Sequence, residues 1–338
     1  MTSWREKHAW YWLSALMPVS AIVALQYDHP WMYLAGLIAA ILVFDPILGE
    51  QVDAGSEQVD AQSPGRAVPV AFICLWFLAV LYSTVRIGHI PVSEFVGFVV
   101  VCGVLSAFAM AHIHEVMHRD GRWGRRASDI AMTFAGYPHY RLVHELHHAH
   151  VGDPRFGSTA QAAVSLWRHV GRSFGNSLAA VLAADHCRSL EGRKRRLLFP
   201  TSAWLGTVVL FAVLCGGRGV LFYLGQSAIS VFVVETIGYI QHYGLVEGSD
   251  PVAWNVSFWL SNRLFVNNGL HSHHHLEQTL PYDRLMCVGA MLPAGYMHMF
   301  FLALVPPLWF RVMNCHPDMP ARFHIAPAHA KIKNKRAS

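Results

Sequence analysis

Long apolar runs separated by short polar breaks fill the first third of the chain and return before residue 241. Runs near 10–26, 31–48, 69–87, 93–113, 202–216 with its flanks, and 219–240 approach the roughly 20 apolar residues that carry a helix across a bilayer core. The pattern predicts an all-α membrane protein with about six transmembrane helices. The 114–200 loop and the segment after 241 are more polar and hold most of the histidines, which predicts a histidine-rich cap on one face. No linker divides the chain. Residues 1–315 are therefore expected to form a single domain, followed by a flexible basic tail over 316–338 with Pro317, Pro320, Pro327 and a lysine cluster. The 49–67 loop is acidic and carries QVDA at 51–54 and again at 58–61; it reads as a solvated connector.

Composition agrees with this outline. Of 338 residues, 54% are hydrophobic and only 14% charged, whereas soluble chains carry roughly 25% charged residues. The first apolar run follows Arg5 and Lys7 and lacks a small-residue cleavage site, so it reads as a retained helix. Arginines 119, 122, 125 and 126, the RKRR run at 193–196, and Lys331, Lys333, Lys335 and Arg336 would share one face with the N-terminus. The positive-inside bias makes that face and both termini cytoplasmic, in a bacterial-type inner membrane. Arg86 and Arg218 would lie on the opposite side. The basic runs could dock an acidic protein, but the orientation bias accounts for them; no nucleic-acid partner is expected. Six scattered cysteines form no CxxC pair, which argues against a zinc knuckle, a fused rubredoxin-like module or a disulfide framework.

Histidine patterning changes the picture. Of 22 histidines, thirteen fall in four short stretches, AHIHEVMH, PHYRLVHELHHAH, IQHYG and LHSHHH. Ionisable groups beside apolar spans are expensive and default to function. His114 and His118 are four apart, so on a helix they share a face. His144, His147 and His148 stand at i, i+3 and i+4, and His271, His274 and His275 repeat that spacing. His242 closes the last apolar run. These nine candidates exceed what a single octahedral ion accepts and imply two metals with open positions. Imidazole suits zinc, copper, iron and nickel. HEVMH has the form of a zinc-protease helix, but a single zinc would leave the remaining histidines without a role. Iron with O₂ fits an all-nitrogen site beside a hydrophobic cavity. His112, His139, His150 and His273 flank the pattern and are expected to support it or face solvent. Among nearby carboxylates that could receive a ligand's other N–H, Asp153 and Glu235 rank first. Glu235 lies inside an apolar run, where an unpaired carboxylate is costly.

At these residues the chain resembles the integral-membrane alkane 1-monooxygenase family, which includes xylene monooxygenase hydroxylase subunits and belongs to the membrane fatty-acid desaturase and hydroxylase superfamily. The resemblance runs from FDPILGE at 44–50 to about residue 313. HEVMHR at 114–119 is similar to the family's first histidine motif and ETIGYIQHYGL at 235–245 to its fourth. Trp254 and Asn255 precede LHSHHH at the family's spacing, and LPAGY at 292–296 and PPLWFRVM at 306–313 match its C-terminal region. HELHH departs by having two residues, not three, before its histidine pair, and His273 stands where an acidic residue is usual. The resemblance implies two non-haem iron ions held by the nine histidines, with no catalytic residue beyond the ligands. It also implies O₂ activation with electrons from a separate rubredoxin or ferredoxin-type protein and its reductase, and an apolar channel admitting a hydrophobic substrate from membrane lipid. The expected reaction is hydroxylation of a terminal methyl group of an alkane or alkyl-aromatic. A fatty-acyl desaturase, hydroxylase or decarboxylase would use the same metals, and a histidine-rich metal transporter is the reading from another class.

Overall fold

The computed structural model describes residues 8–51, 67–118, 121–245 and 252–319. The second QVDA copy and most of the basic tail, with its lysine cluster, lie outside these residues, as do Arg5, Lys7 and Arg119. Among the described residues the chain is helical, with three isolated β-bridges and no strand. The apolar part comprises α1 (Leu13–Gln26), α2 (Pro30–Leu48), α3 (Ala67–Arg86), α4 (Val92–Met117) and α8 (Leu198–His242). The cap comprises α5 (Arg122–Phe134), α6 (Tyr140–Ala149), α7 (Leu166–Leu190), α9 (Trp259–Leu264) and α10 (His271–Leu276), and two short helices follow, α11 (Tyr296–Ala303) and α12 (Pro306–Met313).

Four helices, α2, α3, α4 and α8, are long and apolar enough to cross a membrane, and α1 is shorter. The expected fifth and sixth runs are the two arms of α8, joined at Cys215 and Gly216. Gly216 has φ +59°, a backbone conformation that L side chains rarely adopt. Past the bend the arms return alongside each other, with the Phe211 ring 5.1 Å from Tyr223. Gly219 lets the arms meet, because a Cβ there would run into the Phe211 carbonyl. The bend explains why two apolar runs count as one long helix.

Proline and glycine set several helix ends. Pro30 occupies the first turn of α2, where its missing N–H costs nothing, and Gly49 with φ +70° ends that helix. Pro91 opens α4. This most buried of the long helices packs against α2, α3 and α8.

Apolar helices gain little from hydrophobicity inside lipid, so polar contacts and close packing hold them together. Trp76 Nε1 donates to Ser106 Oγ (3.0 Å), which donates to Gln226 Oε1 (2.6 Å). Gln226 Nε2 then donates to the Phe134 carbonyl (3.1 Å). This chain ties α3, α4, α8 and α5. Asp45, buried near the end of α2, accepts from the Ser261 amide (2.9 Å) and hydroxyl (2.7 Å), locking α2 to α9. The two basic residues that broke the charge pattern are both engaged. Arg86 pairs with Asp28 at 2.6 Å, and Arg218 donates to the Ile90 carbonyl at 2.8 Å.

Candidate metal centre

The cap brings four separated segments to one place. His114 rides on the last turn of α4, and His118 stands just past its end. α6 contributes His144, His147 and His148; His242 is the final residue of α8; α10 contributes His271, His274 and His275.

The histidines sort into two groups. His114, His118, His144, His148 and His274 converge, with Nε2–Nε2 separations of 2.9 Å (His114–His144), 3.2 Å (His114–His118), 3.0 Å (His118–His144), 2.7 Å (His144–His148) and 3.2 Å (His148–His274). In the other group, His242 Nε2 lies 3.2 Å from both His147 and His271, and His271 lies 3.1 Å from His275. The groups adjoin, with the His148 and His275 rings 4.4 Å apart.

Helical geometry explains the sorting. Residues four apart diverge by about 40°, whereas adjacent residues diverge by about 100°. So His144 and His148 point together while His147 turns to the other group, and His271 and His275 point together while His274 crosses over. The i+3 histidine of each motif does not share a site with its i and i+4 neighbours.

These contacts fit bound cations better than hydrogen bonds. The Nε2 atoms of His114, His118 and His144 touch pairwise. A neutral imidazole nitrogen either carries a proton or offers a lone pair. Among three mutually touching nitrogens, two must therefore be in the same state and oppose each other. A shared cation would accept every lone pair. Imidazoles bound at about 2.1 Å with cis angles near ~90° would have their nitrogens about 3.0 Å apart, close to the separations found.

The environment keeps the lone pairs free. Burial pushes His118 and His147 down to about 4. Burial and the neighbouring imidazoles hold His144, His271, His274 and His275 well below the ordinary histidine range. A depressed imidazole stays neutral in the folded protein at a pH where the unfolded chain takes up a proton, so acid favours unfolding. The metal-stripped protein should thus lose thermal stability as pH falls from 6.5 toward 4, and metal-loaded protein should release its ions over the same window. Melting curves and retained-metal assays at pH 7.5, 6, 5 and 4 check this; flat profiles would contradict it.

Other contacts hold the clusters in place, and residue type alone did not single them out. Tyr140 stacks on His144 at 5.5 Å with planes 16° apart. Buried Arg141 binds Asp129 (2.6 Å) and Glu145 (2.6 Å), and Glu145 also binds Arg196 (2.6 Å), fixing α6 against α5 and the RKRR run. Buried Asn255 accepts from the Ser272 amide (2.9 Å) and donates to Ser272 Oγ, Val288 O and Ala290 O, which seats the start of α10. The place of Asn255 ahead of LHSHHH, at the spacing of the family it resembles, is its one sequence signal.

The two carboxylates ranked first from sequence bind elsewhere. Asp153 caps the short turn Pro154–Phe156 and is taken up by Arg155, through its amide (2.9 Å) and guanidinium (2.5 Å), rather than by one of the nine imidazoles. Glu235 accepts from the Tyr137 hydroxyl (2.5 Å). The four flanking histidines stand outside both groups. His112 stacks on Phe72, His139 packs near Tyr137, His150 stacks on Phe156, and His273 Nδ1 accepts from the Met286 amide (2.9 Å).

A cavity of about 170 Å³ runs between α2, α4, α8 and α11 and ends at His114, His144, His147, His242 and His271. Its walls are mainly aliphatic and aromatic, and among the described residues neither lysine nor arginine lines it. Such a space suits an apolar molecule presented to the histidines.

Comparison with known proteins agrees with this geometry. The sequence profile described as fatty acid desaturase matches residues 93–303, more than half of the chain. Alkane 1-monooxygenase 2 of Alcanivorax borkumensis is 27% identical, over 90% of this chain and 88% of the relative. Alkane 1-monooxygenase 1 of Pseudomonas aeruginosa is 27% identical, over 91% and 90%. The xylene/toluene monooxygenase hydroxylase component of Pseudomonas putida is 25% identical, over 90% and 87%. With two adjoining histidine groups beneath apolar helices, the chain belongs to the fatty acid desaturase family, in its alkane and xylene monooxygenase branch.

Proposed function

We propose that this protein is a membrane di-iron monooxygenase that hydroxylates a terminal methyl C–H bond of an alkane or alkyl-aromatic chain. The convergence of two imidazole groups at the end of an apolar cavity carries the reading. His114, His118, His144, His148 and His274 would hold one iron, and His147, His242, His271 and His275 the other. Bound there, the irons supply O₂ activation and the oxidising power to break the C–H bond. The chain's own part is placement. Neutral imidazoles offer their lone pairs, the ring of Tyr140 fixes the plane of His144, and the apolar wall excludes water and aims the methyl group. Two electrons come from a separate rubredoxin or ferredoxin-type donor with its reductase. The cap and both termini face the cytoplasm of a bacterial-type inner membrane.

A desaturase would use the same metals, but a carboxylate-headed acyl chain would find no cation along the cavity wall. A transporter would need its ligands strung along a path, whereas here they are gathered beneath the helices. Whole-cell conversion of medium-chain alkanes, xylenes and fatty acids, with donor proteins co-expressed, tests the proposal. Terminal alcohols from the first two classes are expected. Alkenes would move the assignment to desaturation, and metal uptake into proteoliposomes without O₂-dependent turnover would move it to transport.

A further inference from the structure

Among the polar side chains of the cavity wall are two hydrogen-bonded pairs, Gln241 with Tyr296 and Glu235 with Tyr137, and they differ in one respect. Gln241 and Tyr296 are satisfied by each other and by the Asn268 carbonyl, through contacts of 2.5, 3.2 and 2.9 Å. In the pair Glu235 and Tyr137, one carboxyl oxygen is not. Both are buried, at 5% and 1% exposure, and Tyr137 donates to Glu235 Oε1. Ser173 stands near the carboxyl, where its Oγ accepts from the Ser158 amide at 3.0 Å, but its hydroxyl makes no hydrogen bond to Glu235 Oε2. Glu235 Oε2 is left buried without a hydrogen-bond partner. A buried carboxyl oxygen in that condition is costly and calls for an occupant. Anchoring Tyr137 requires only the other oxygen.

Position adds a second constraint. Glu235 and His242 are seven residues apart on α8, which is two turns on nearly the same face and a rise of roughly 10 Å. Both line the cavity. A molecule that touches the carboxyl with one end can therefore present its other end to the histidines.

We propose that Glu235 and Tyr137 form a hydroxyl-binding subsite, and that the preferred substrate is an aliphatic alcohol of medium length whose far methyl group is oxidised. The inference rests on the hydroxylase reading. A hydroxyl both donates and accepts, so it pairs with Oε2 whether the carboxyl is ionised or protonated. A plain alkane leaves Oε2 unpaired. A carboxylate would meet Glu235 with no cation to offset it. The reaction is alkanol + O₂ + 2 electrons + 2 protons → α,ω-diol + water. A terminal C–H bond is replaced by C–OH, and the donor protein's electrons reduce the second oxygen atom to water.

Two measurements on the full-length, metal-loaded protein in nanodiscs test it, with 1-octanol, n-octane and octanoate as probes. The first is anaerobic infrared difference spectroscopy, which reads binding without turnover. A carboxyl band should shift with 1-octanol, stay put with n-octane, and be absent in Glu235→Gln. The second is competitive turnover. Wild type should favour 1-octanol over n-octane by about 10- to 100-fold in kcat/KM, with octanoate poorest. Glu235→Leu should bring the 1-octanol to n-octane ratio near unity through KM, and Glu235→Gln should keep part of it. A purely structural role for Glu235 would lower both rates together and leave the ratio unchanged, which would overturn the proposal. Equal use of 1-octanol and n-octane by wild type would overturn it too, even if Glu235→Leu does not accumulate. An infrared shift without oxidation of any probe would sink the hydroxylase reading and leave the subsite standing. Oxidation without a shift or a preference would do the reverse.

Discussion

Replacing His242 with alanine is expected to abolish hydroxylation, by at least about 10³-fold, and to lower bound iron from about two ions per chain to about one. His242 is the hub of the smaller group. Its Nε2 lies 3.2 Å from both His147 and His271, and the ligand atoms of His147, His242 and His275 all lie within 4.8 Å of one another. Without His242 the remaining three imidazoles lose their common centre, whereas the five-membered group makes its close Nε2 contacts among its own members. Iron per chain by mass spectrometry, together with product formation, reads both halves of the expectation. His150→Ala serves as the comparison, because that ring stacks on Phe156 and stands outside both groups; it should keep its iron. Full iron content and turnover in His242→Ala would sink the two-iron assignment.

Asn255→Leu should destabilise the protein by about 4 kcal/mol and empty the smaller group of metal. Leucine matches asparagine closely in size, so little cavity forms. It cannot replace the contacts of the buried amide with Ser272 Oγ (3.1 Å), Val288 O (2.6 Å), Ala290 O (3.0 Å) and the Ser272 amide (2.9 Å). Each buried group left unpaired costs roughly 1–3 kcal/mol, and the loss falls where α10 begins, next to His271. Asn255→Asp keeps an acceptor for the Ser272 amide but turns an oxygen toward the Val288 and Ala290 carbonyls, so it should not restore wild-type stability. Melting temperature and iron content in detergent measure the effect. A variant that melts with wild type and holds the same iron would show that α10 is seated by other contacts.

Much of this centre was legible in the chain. Apolar runs of bilayer length gave the helical class, and HxxxH and HxxHH spacings singled out eight of the nine candidate ligands, because imidazoles one turn apart can converge; His242 stood alone just past the last apolar run. Motifs beyond the histidines, from FDPILGE to PPLWFRVM, gave the family. The span count was less legible, because a run of apolar residues records composition and not the backbone reversal at Cys215 and Gly216.

The sequence by itself determined which side chains could meet a metal and what solvent surrounds them, since both follow from local periodicity and hydrophobicity. Tertiary structure alone decided how those side chains are shared. It put His144 and His148 with His114, sent His147 to His242, and crossed His274 over to the larger group. It also turned Asp153 to Arg155 and brought Tyr137 to Glu235 across 98 residues of chain. These pairings depend on the crossing of α6, α8 and α10. Contacts between distant segments, such as Asn255 with Ser272 and Asp45 with Ser261, fix the packing of the cap, and no local pattern encodes them.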